Sequence, residues 1–287
     1  VVDQRIAKDF VGGTRGFFGA NLATVDDLRD VNAGISSDLG STVLHIDGFS
    51  RRSEDYSVPE FINDEGERVE TIENSFVDAQ GGTLGLSYIF DAGYLGASYA
   101  RLEQEYGIPG HHHHAEEEHG EEHEGELPEE HANEEEAGPY ADLVQDRWQV
   151  HGGIENPWQG VEQLTLRYAY TDYQHQEMEG GAPSTTFRND QHELRVTANH
   201  QLTEQWYGAF GYHGFRQKQS AFGEEAYTPA SATDRHGFFW LVETRENKLN
   251  YQLGVRYEKV SIDAPTVELG QHNYDFNPLS ASVGITY

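Results

Sequence analysis

The sequence predicts an all-β protein whose strands form a transmembrane antiparallel up-and-down β-barrel, with about twelve strands in this chain. Three observations support this fold class: a period-two alternation of apolar and polar residues, aromatic residues on the apolar faces, and connections that alternate between short and long. No apolar run approaches the roughly 20 residues that a membrane-spanning helix needs. A helical membrane protein is therefore excluded.

The alternation is clearest in three predicted strands. After Val161, apolar residues at 164, 166, 168 and 170 alternate with residues at 163, 165 and 167 that are polar, and the pattern recurs over 193–199 and 249–258. Neighbouring residues of a strand lie on opposite faces, so each segment has one apolar and one polar face. Weaker alternation predicts further strands near 13–23, 27–36, 41–50, 75–90, 93–105, 142–154, 205–217, 235–245 and 278–287.

The connections between these strands alternate in length along the chain. Short connections are predicted at 91–93, 155–160, 203–204 and 246–247, and long ones at 51–74, 106–141, 174–190, 217–234 and 259–277. Hairpins that are tight at one end and long at the other describe a meander with two different rims. In a membrane barrel the long loops face the outside of the cell.

Two architectures fit such a meander. A soluble sandwich or lipocalin-like barrel would turn the apolar face inward, whereas a membrane barrel turns it towards lipid and encloses water with the polar face. The polar faces carry Gly, Ser, Thr, Asn, Gln and Arg, which suit a wet lumen better than a protein core. Aromatic residues on the apolar faces suit headgroup depth and favour the membrane barrel; they are Trp206, Phe210, Tyr212, Phe238, Trp240, Tyr251 and Tyr257.

A barrel in lipid must close, because the unpaired backbone groups of an open edge would find no water to bond. Nothing in the last predicted strand, 278–287, shows that it pairs with the first. The chain therefore either closes on itself or is a fragment whose missing strands complete the wall.

The net charge of the chain is -31, from 50 acidic and 19 basic residues. Such a charge argues against nucleic acid and anionic lipid as partners and favours cations. The chain has no cysteine, so imidazole and carboxylate are the strong metal ligands available.

One segment, 111–136, concentrates seven histidines and twelve glutamates without lysine, arginine or aspartate. It lies in the long connection 106–141, on the rim that faces outward. Imidazole binds zinc, copper and nickel, and carboxylates complete or orient such sites, so the segment predicts a multivalent trap for divalent metal that weakens in mild acid. The candidate ligands are His111, His112, His113, His114, His119, His123, His131, Glu116, Glu117, Glu118, Glu121 and Glu122.

Two plainer interpretations of this segment stay open. A glutamate-rich loop can simply be solvated, and four consecutive histidines can be left from purification, although such tags lie at chain ends. Calcium could use the carboxylates but would have no need of the histidines.

Other polar residues are predicted to face the lumen as part of its lining. His45 and Asp47 share one strand face, and His151 and His213 lie on similar faces. The sequence contains no nucleophile elbow, phosphate-binding loop or zinc-protease motif, so an enzyme is not expected.

Three stretches of this chain resemble TonB-dependent outer-membrane receptors, in particular zinc receptors of the ZnuD type. Residues 1–6, ValValAspGlnArgIle, resemble the end of the plug domain where it enters the barrel. TyrGlyIleProGly at 106–110, followed at once by the histidines, resembles the start of the metal-collecting extracellular loop. AsnProLeuSerAlaSerValGly at 277–284 resembles a mid-barrel strand.

This resemblance implies a domain division and a larger assembly. Residues 1–12 would be the end of the plug or its linker, and residues 13–287 part of a barrel of about 22 strands that lacks its plug here. Family members couple to the TonB complex through that plug. The implied cargo is Zn²⁺, with Ni²⁺ and Cu²⁺ as alternatives.

The resulting hypothesis is an outer-membrane receptor of a Gram-negative cell that captures and imports a divalent metal, with zinc preferred. The loop gathers the metal and passes it to a tighter site nearer the lumen. The alternatives are a receptor for haem, a siderophore or another metal chelate, and a surface metal-binding protein without transport.

Overall fold

The computed structural model describes residues 5–63, 66–110, 138–223, 226–244, 249–266 and 270–287. These residues form β-strands joined by turns and loops. No helix long and apolar enough to cross a membrane occurs among them. The strands are β1 (Thr14–Leu22), β2 (Arg29–Leu39), β3 (Thr42–Ser53), β4 (Tyr56–Ile62), β5 (Arg68–Ile72), β6 (Val77–Phe90), β7 (Gly93–Gly107), β8 (Tyr140–Trp158), β9 (Val161–Glu179), β10 (Ala182–Gln201), β11 (Trp206–Gly223), β12 (Ser231–Thr244), β13 (Asn250–Thr266), β14 (Gly270–Phe276) and β15 (Leu279–Thr286).

One antiparallel sheet forms the wall, in the order β1-β2-β3-β6-β7-β8-β9-β10-β11-β12-β13-β14. Strand β15 also pairs with β13, on the half of β13 that β14 leaves free. The break between β14 and β15 falls at Asn277 and Pro278, and the carbonyl oxygen of Pro278 still accepts a hydrogen bond of 2.9 Å from the Glu258 amide. With β14 and β15 counted as one interrupted strand, the wall has twelve strands, as predicted.

The two rims differ, as the alternating connections predict. Short turns at 40–41, 91–92, 159–160 and 202–205 lie on one rim. The other rim carries the longer connection 108–139 and a separate hairpin of β4 and β5, which the sequence did not reveal within the long connection 51–74.

The predicted long connection 174–190 is wrong, because strands occupy almost all of it. β9 continues to Glu179 and β10 begins at Ala182, so only Gly180 and Gly181 form the turn, with φ values of 55° and 77°. Glycine adopts such φ values without the penalty that a Cβ brings. The residues beside this turn are mostly polar and their few apolar members do not alternate regularly, so the pattern that identifies strands is missing there. The long connections 217–234 and 259–277 are shortened in the same way, by the continuation of β11 and β13.

The apolar faces of the strands are exposed, as expected for the membrane barrel and opposite to the expectation for a soluble sandwich. Leu84, Leu86 and Tyr88 of β6 are each more than half exposed, and Phe238 and Trp240 of β12 are also exposed. The largest fully buried side chains are Val43, Thr185 and Ser87, so the described residues contain no dry core of large apolar side chains. This arrangement confirms the predicted orientation of the sheet.

The other face of the sheet is polar, and we call it the inner wall. The chain segment before β1 lies on it. Ile6 is buried there, because Gly96 and Gly85 have no side chains: a Cβ on Gly96 would lie 2.5 Å from Ile6 Cγ2, and one on Gly85 would lie 1.8 Å from the Arg5 carbonyl oxygen. Asp38 on β2 fixes the end of this segment by accepting hydrogen bonds of 2.7–2.9 Å from three consecutive amides, those of residues 11–13.

Two edges of the sheet have no partner strand among the described residues. β1 pairs with β2 alone, and the β14–β15 edge pairs with β13 alone. Closure of this sheet onto itself is therefore not seen in the part of the chain that the structure describes.

Candidate functional site

The predicted metal-capturing segment, 111–136, lies outside the described residues, so its histidine and glutamate ligands remain a prediction. The two ends of its loop are described. β7 ends at Gly107 and β8 begins at Tyr140. The amide of Ile108 donates a 3.0 Å hydrogen bond to the carbonyl oxygen of Pro139, so the loop leaves and re-enters the wall at one point of the long-loop rim.

Asn74 ties these two ends together, and we call this contact the neck clamp. Its side-chain amide nitrogen donates to the carbonyl oxygens of both Ile108, at 3.0 Å, and Pro139, at 2.6 Å. Asp55 positions Asn74 by accepting hydrogen bonds from the backbone amides of Asn74 and Ser75. The segment between β5 and β6 thus holds the base of the histidine-rich loop.

An aromatic cluster lies near this neck. The ring of His175 on β9 lies 5.5 Å from the ring of Phe187 and 6.0 Å from that of Tyr106, and the Tyr173 hydroxyl lies 3.4 Å from His175 Nδ1. The Nε2 atom of His175 is buried without a hydrogen-bond partner. The sequence does not predict this histidine as a site residue, because it falls in the predicted connection 174–190.

The described residues contain no group of three or more His, Cys, Asp or Glu side chains placed to hold a metal ion. A preformed inner metal site, as the two-stage hypothesis expects, is therefore not present in this part of the chain. Two histidines of the inner wall that the sequence predicts to face the lumen, His45 and His213, are instead engaged with neighbouring side chains.

His45 is an example of an engaged residue. It lies on the polar face as predicted, buried between Ser36 and Asp47. Its Nδ1 lies 2.7 Å from the Ser36 hydroxyl and its Nε2 lies 2.7 Å from Asp47 Oδ2. Both ring nitrogens are used, so this histidine stabilises the wall and has no nitrogen left for a ligand.

His213 belongs to a second network on the inner wall. Its Nε2 lies 2.8 Å from Glu193 Oε1, and its Nδ1 lies 3.4 Å from Arg256 Nη2. Arg256 in turn donates a 2.7 Å hydrogen bond to Glu258. The guanidinium of Arg256 lies over Gly237, where a Cβ would be only 2.6 Å away, so the absence of a side chain at this position makes room for it. The carboxylates of this network are thus matched by neighbouring cations or by histidine.

A cationic stretch of the inner wall adjoins this network. Arg167 on β9 and Arg195 on β10 are register partners, so their side chains leave the same face of neighbouring strands. They share a cavity of about 410 Å³ with Lys8 of the segment before β1. Polar side chains complete its lining, namely Tyr94, Gln163, Thr165, Thr197 and Asn199. None of these residues is predicted as a site from the sequence.

Tyrosine and histidine pairs lie on the outward face. The Tyr168 hydroxyl lies 2.8 Å from His192 Nδ1, and the Tyr212 hydroxyl lies 2.6 Å from His236 Nδ1. Each pair has an apolar ring and a polar end, which suits a boundary between lipid and water.

No family model matches the sequence. Several solved structures share the fold. The FrpB iron transporter from Neisseria meningitidis aligns with a TM-score of 0.68 at 12% identity, over 95% of this chain and 42% of its own. The copper transporter OprC aligns with a TM-score of 0.68 at 13% identity, over 96% and 42% of the two chains. The ferric yersiniabactin uptake receptor FyuA from Yersinia pestis aligns with a TM-score of 0.56 at 11% identity, over 96% and 44%.

The chain spans less than half of each of these proteins. At such identities the similarity shows the fold alone, an antiparallel barrel wall like that of these three proteins.

Proposed function

We propose, on the premise of this shared barrel fold, that the chain is part of a receptor in the outer membrane of a Gram-negative cell that imports a metal ion or a metal chelate. The observation that carries the proposal is the division of the sheet into an exposed apolar face and a polar inner wall, which fits lipid outside and water inside. The similar structures are an iron transporter, a copper transporter and a ferric yersiniabactin receptor, which supports metal-related cargo.

We propose zinc as the metal that the loop captures, with Ni²⁺ and Cu²⁺ as the other candidates. Seven histidines in 111–136 supply the imidazole that these metals prefer, and twelve glutamates raise the local cation concentration. The neck clamp supports this role, because it keeps the loop at the long-loop rim.

We further propose that uptake depends on the TonB complex through a plug domain, with residues 1–12 as its end, and that further strands complete a barrel of about 22. The two edges without partner strands support this, because an open edge in lipid leaves backbone groups unpaired.

The test replaces all seven loop histidines by glutamine and leaves the glutamates in place. Binding of Zn²⁺, Ni²⁺, Cu²⁺ and Ca²⁺ to the full chain in detergent micelles is measured by calorimetry at pH 7.5 and pH 5.5. We expect the variant to lose Zn²⁺ affinity by at least about tenfold, since each histidine is a ligand. For the unchanged protein, zinc affinity should fall at pH 5.5, because protonated imidazole cannot bind metal.

The matched control replaces Glu116, Glu117 and Glu118 by glutamine and keeps every histidine. It should weaken Ca²⁺ binding more than Zn²⁺ binding, because Ca²⁺ prefers oxygen ligands. Tight Ca²⁺ binding with no response to Zn²⁺ would overturn the zinc proposal. Unchanged metal uptake by cells after deletion of 111–136 would favour a chelate receptor, and metal binding without a growth defect in zinc-starved cells would favour a surface metal-binding protein.

A further inference from the structure

The cationic stretch of the inner wall is unusual because two arginines occupy directly opposite positions of neighbouring strands and line one cavity. Arg167 and Arg195 are opposite in the antiparallel register of β9 and β10. Side chains at such positions start roughly 5 Å apart, and like charges there repel each other. A protein with a net charge of -31 has carboxylates enough to separate them, yet no carboxylate of the described residues pairs with either arginine.

Three of the nearby carboxylates are committed to other groups, and the other acidic residue near the cavity is Asp9, which follows Lys8 in the chain. Glu193 faces His213, Glu258 accepts from Arg256, and Glu155 accepts a 2.8 Å hydrogen bond from Gln163. Within the described ranges, no carboxylate lies within ion-pair distance of Arg167, Arg195 or Lys8. The recorded contact of Arg195 is with an aromatic ring, that of Phe239, whose centroid lies 5.0 Å from its guanidinium carbon. Among the described residues, the two guanidinium groups therefore have no carboxylate partner.

Lys8 adds a third positive charge, and the fold fixes its place. Ile6, two residues earlier, is buried against Gly96, and the amides of Val11, Gly12 and Gly13 are held by Asp38. Both ends of the segment are thus attached to the wall. Its middle, with Lys8, is held beside the two arginines.

Neutral hydrogen-bonding groups surround these cations. Thr165 and Thr197 contribute hydroxyl groups, Gln163 and Asn199 contribute amides, and Tyr94 contributes a phenol. The cavity volume of about 410 Å³ is in the range of small-molecule sites. Guanidinium groups bind carboxylates with two parallel hydrogen bonds, and the amides and hydroxyls can bind the remaining oxygens.

We infer that Lys8, Arg167 and Arg195 form a binding site for a small anion that carries two or more carboxylates. Such an anion separates the two guanidinium groups and replaces their repulsion by charge-assisted hydrogen bonds. A bare divalent cation is repelled by the same three groups. If the proposed function holds, the cargo that passes this part of the wall is a carboxylate chelate of the metal. This statement about the cargo rests on the proposed function.

The test measures binding of citrate, as a probe, to the full chain in detergent micelles by calorimetry at low ionic strength. We expect Arg167→Gln and Arg195→Gln each to weaken citrate binding by about tenfold or more, because each removes a charged hydrogen-bond donor pair. The double variant should show no measurable binding. Arg195→Lys keeps the charge but loses the planar two-bond geometry, so it should retain part of the affinity.

The matched control is Arg216→Gln on the outward face of the neighbouring strand β11, where Arg216 lies 3.6 Å from Asp234. It removes the same charge from the chain and should leave citrate binding unchanged. The inference is overturned if the unchanged protein does not bind citrate, if the control loses as much affinity as the inner-wall variants, or if inorganic phosphate binds as tightly as citrate.

The two proposals fail separately. The arginine variants should keep the zinc affinity of the histidine-rich loop, and the histidine-to-glutamine variant should keep citrate binding. Far-ultraviolet circular dichroism and the shift of electrophoretic mobility on heating check that each variant is folded.

Discussion

Single glycines decide where the segment before β1 lies. Gly85 and Gly96 present bare backbone to Arg5 and Ile6, and any side chain at Gly85 would overlap the Arg5 carbonyl oxygen. The overlap is with backbone, so it cannot be relieved by a rotamer change. The position of Lys8 thus depends on glycines of β6 and β7, which lie three and two strands away from Arg167 on β9.

We predict that Gly85→Ala displaces this segment while the sheet stays intact. Exposure of Ile6 alone costs about 1.5–3 kcal/mol. Trypsin cleavage after Arg5 or Lys8 should therefore become at least about tenfold faster, because cleavage follows the opening equilibrium. Rates of cleavage under native conditions, read by mass spectrometry, provide the measurement.

The control for this prediction is Gly152→Ala. A Cβ there meets its nearest atom, Leu95 Cδ1, at 3.4 Å, which is an ordinary contact. Its cleavage rate should equal that of the unchanged protein, and equal rates for Gly85→Ala would contradict the prediction.

At the scale of elements, the segment between β5 and β6 controls the base of the loop through the neck clamp. Asn74 has a φ of 58°, a conformation that asparagine tolerates better than most residues. Its backbone amide donates to Asp55, and its side-chain amide donates to the carbonyl oxygens of Ile108 and Pro139. The clamp therefore combines a turn conformation with two side-chain hydrogen bonds, and a substitution can separate these two contributions.

We predict that Asn74→Asp opens the neck. Aspartate has the same shape and tolerates the same φ, but its carboxylate cannot donate to the carbonyl oxygens of Ile108 and Pro139. The loss should cost about 1–3 kcal/mol locally. Hydrogen exchange of the Ile108 amide, which bonds to Pro139, should become about tenfold faster or more.

Ser57→Ala serves as the control, since Ser57 is an exposed residue of the β4–β5 hairpin that precedes the segment with Asn74. Its substitution should leave exchange at Ile108 unchanged. If Asn74→Asp also leaves that exchange unchanged, the backbone bond between residues 108 and 139 holds the neck without help from Asn74.

The elements also show what sequence can and cannot predict. Inside the apolar band, alternation locates β9 and β13 well, because one face must be apolar. Beyond that band both faces meet water, so the polar ends of β9 and β10 show no alternation and the sequence predicts a loop there. Strand β14 was missed for the same reason, and Pro278 separates it from β15.

The pairing of Arg167 with Arg195 depends on the register between β9 and β10, which the alternation of apolar and polar residues does not determine. Counting back symmetrically from the Gly180–Gly181 turn places Leu194 opposite Arg167, and the bulge between Pro183 and Thr185 shifts the partner to Arg195. The position of the glycine turn alone therefore does not predict that Arg167 pairs with Arg195, because the one-residue bulge must also be known. The shared polar face of His45 and Asp47, by contrast, follows from the alternation of side chains along one strand, and this prediction is correct.

At the scale of the whole molecule, stability depends on which solvent each face meets. Leu166 on β9 is an exposed residue of the apolar face, and its neighbour Arg167 lies on the inner wall. We predict that Leu166→Arg destabilises the protein in lipid vesicles by about 2–4 kcal/mol, the usual cost of arginine near the bilayer midplane. Guanidinium unfolding curves in vesicles supply the measurement.

Gln252→Arg on the inner wall is the matched control. Gln252 is exposed there and lies beside Glu243, which can pair with an added guanidinium. It should change the free energy of unfolding by less than about 0.5 kcal/mol. Equal losses for both variants would mean that the two faces do not meet different solvents.

The length of β8, β9 and β10 has a consequence for the cell surface. Strands of 19–20 residues measure about 65 Å, and at a tilt near 40° they rise about 50 Å, well above a hydrocarbon layer of about 30 Å. In the outer membrane, as proposed, the outer ends of these three strands form a rigid hydrogen-bonded sheet that extends into the medium beside the neck of the histidine-rich loop. Antibodies and phages that reach this side of the receptor meet a shaped, folded epitope there, and linear peptides copied from it reproduce neither its register nor its shape.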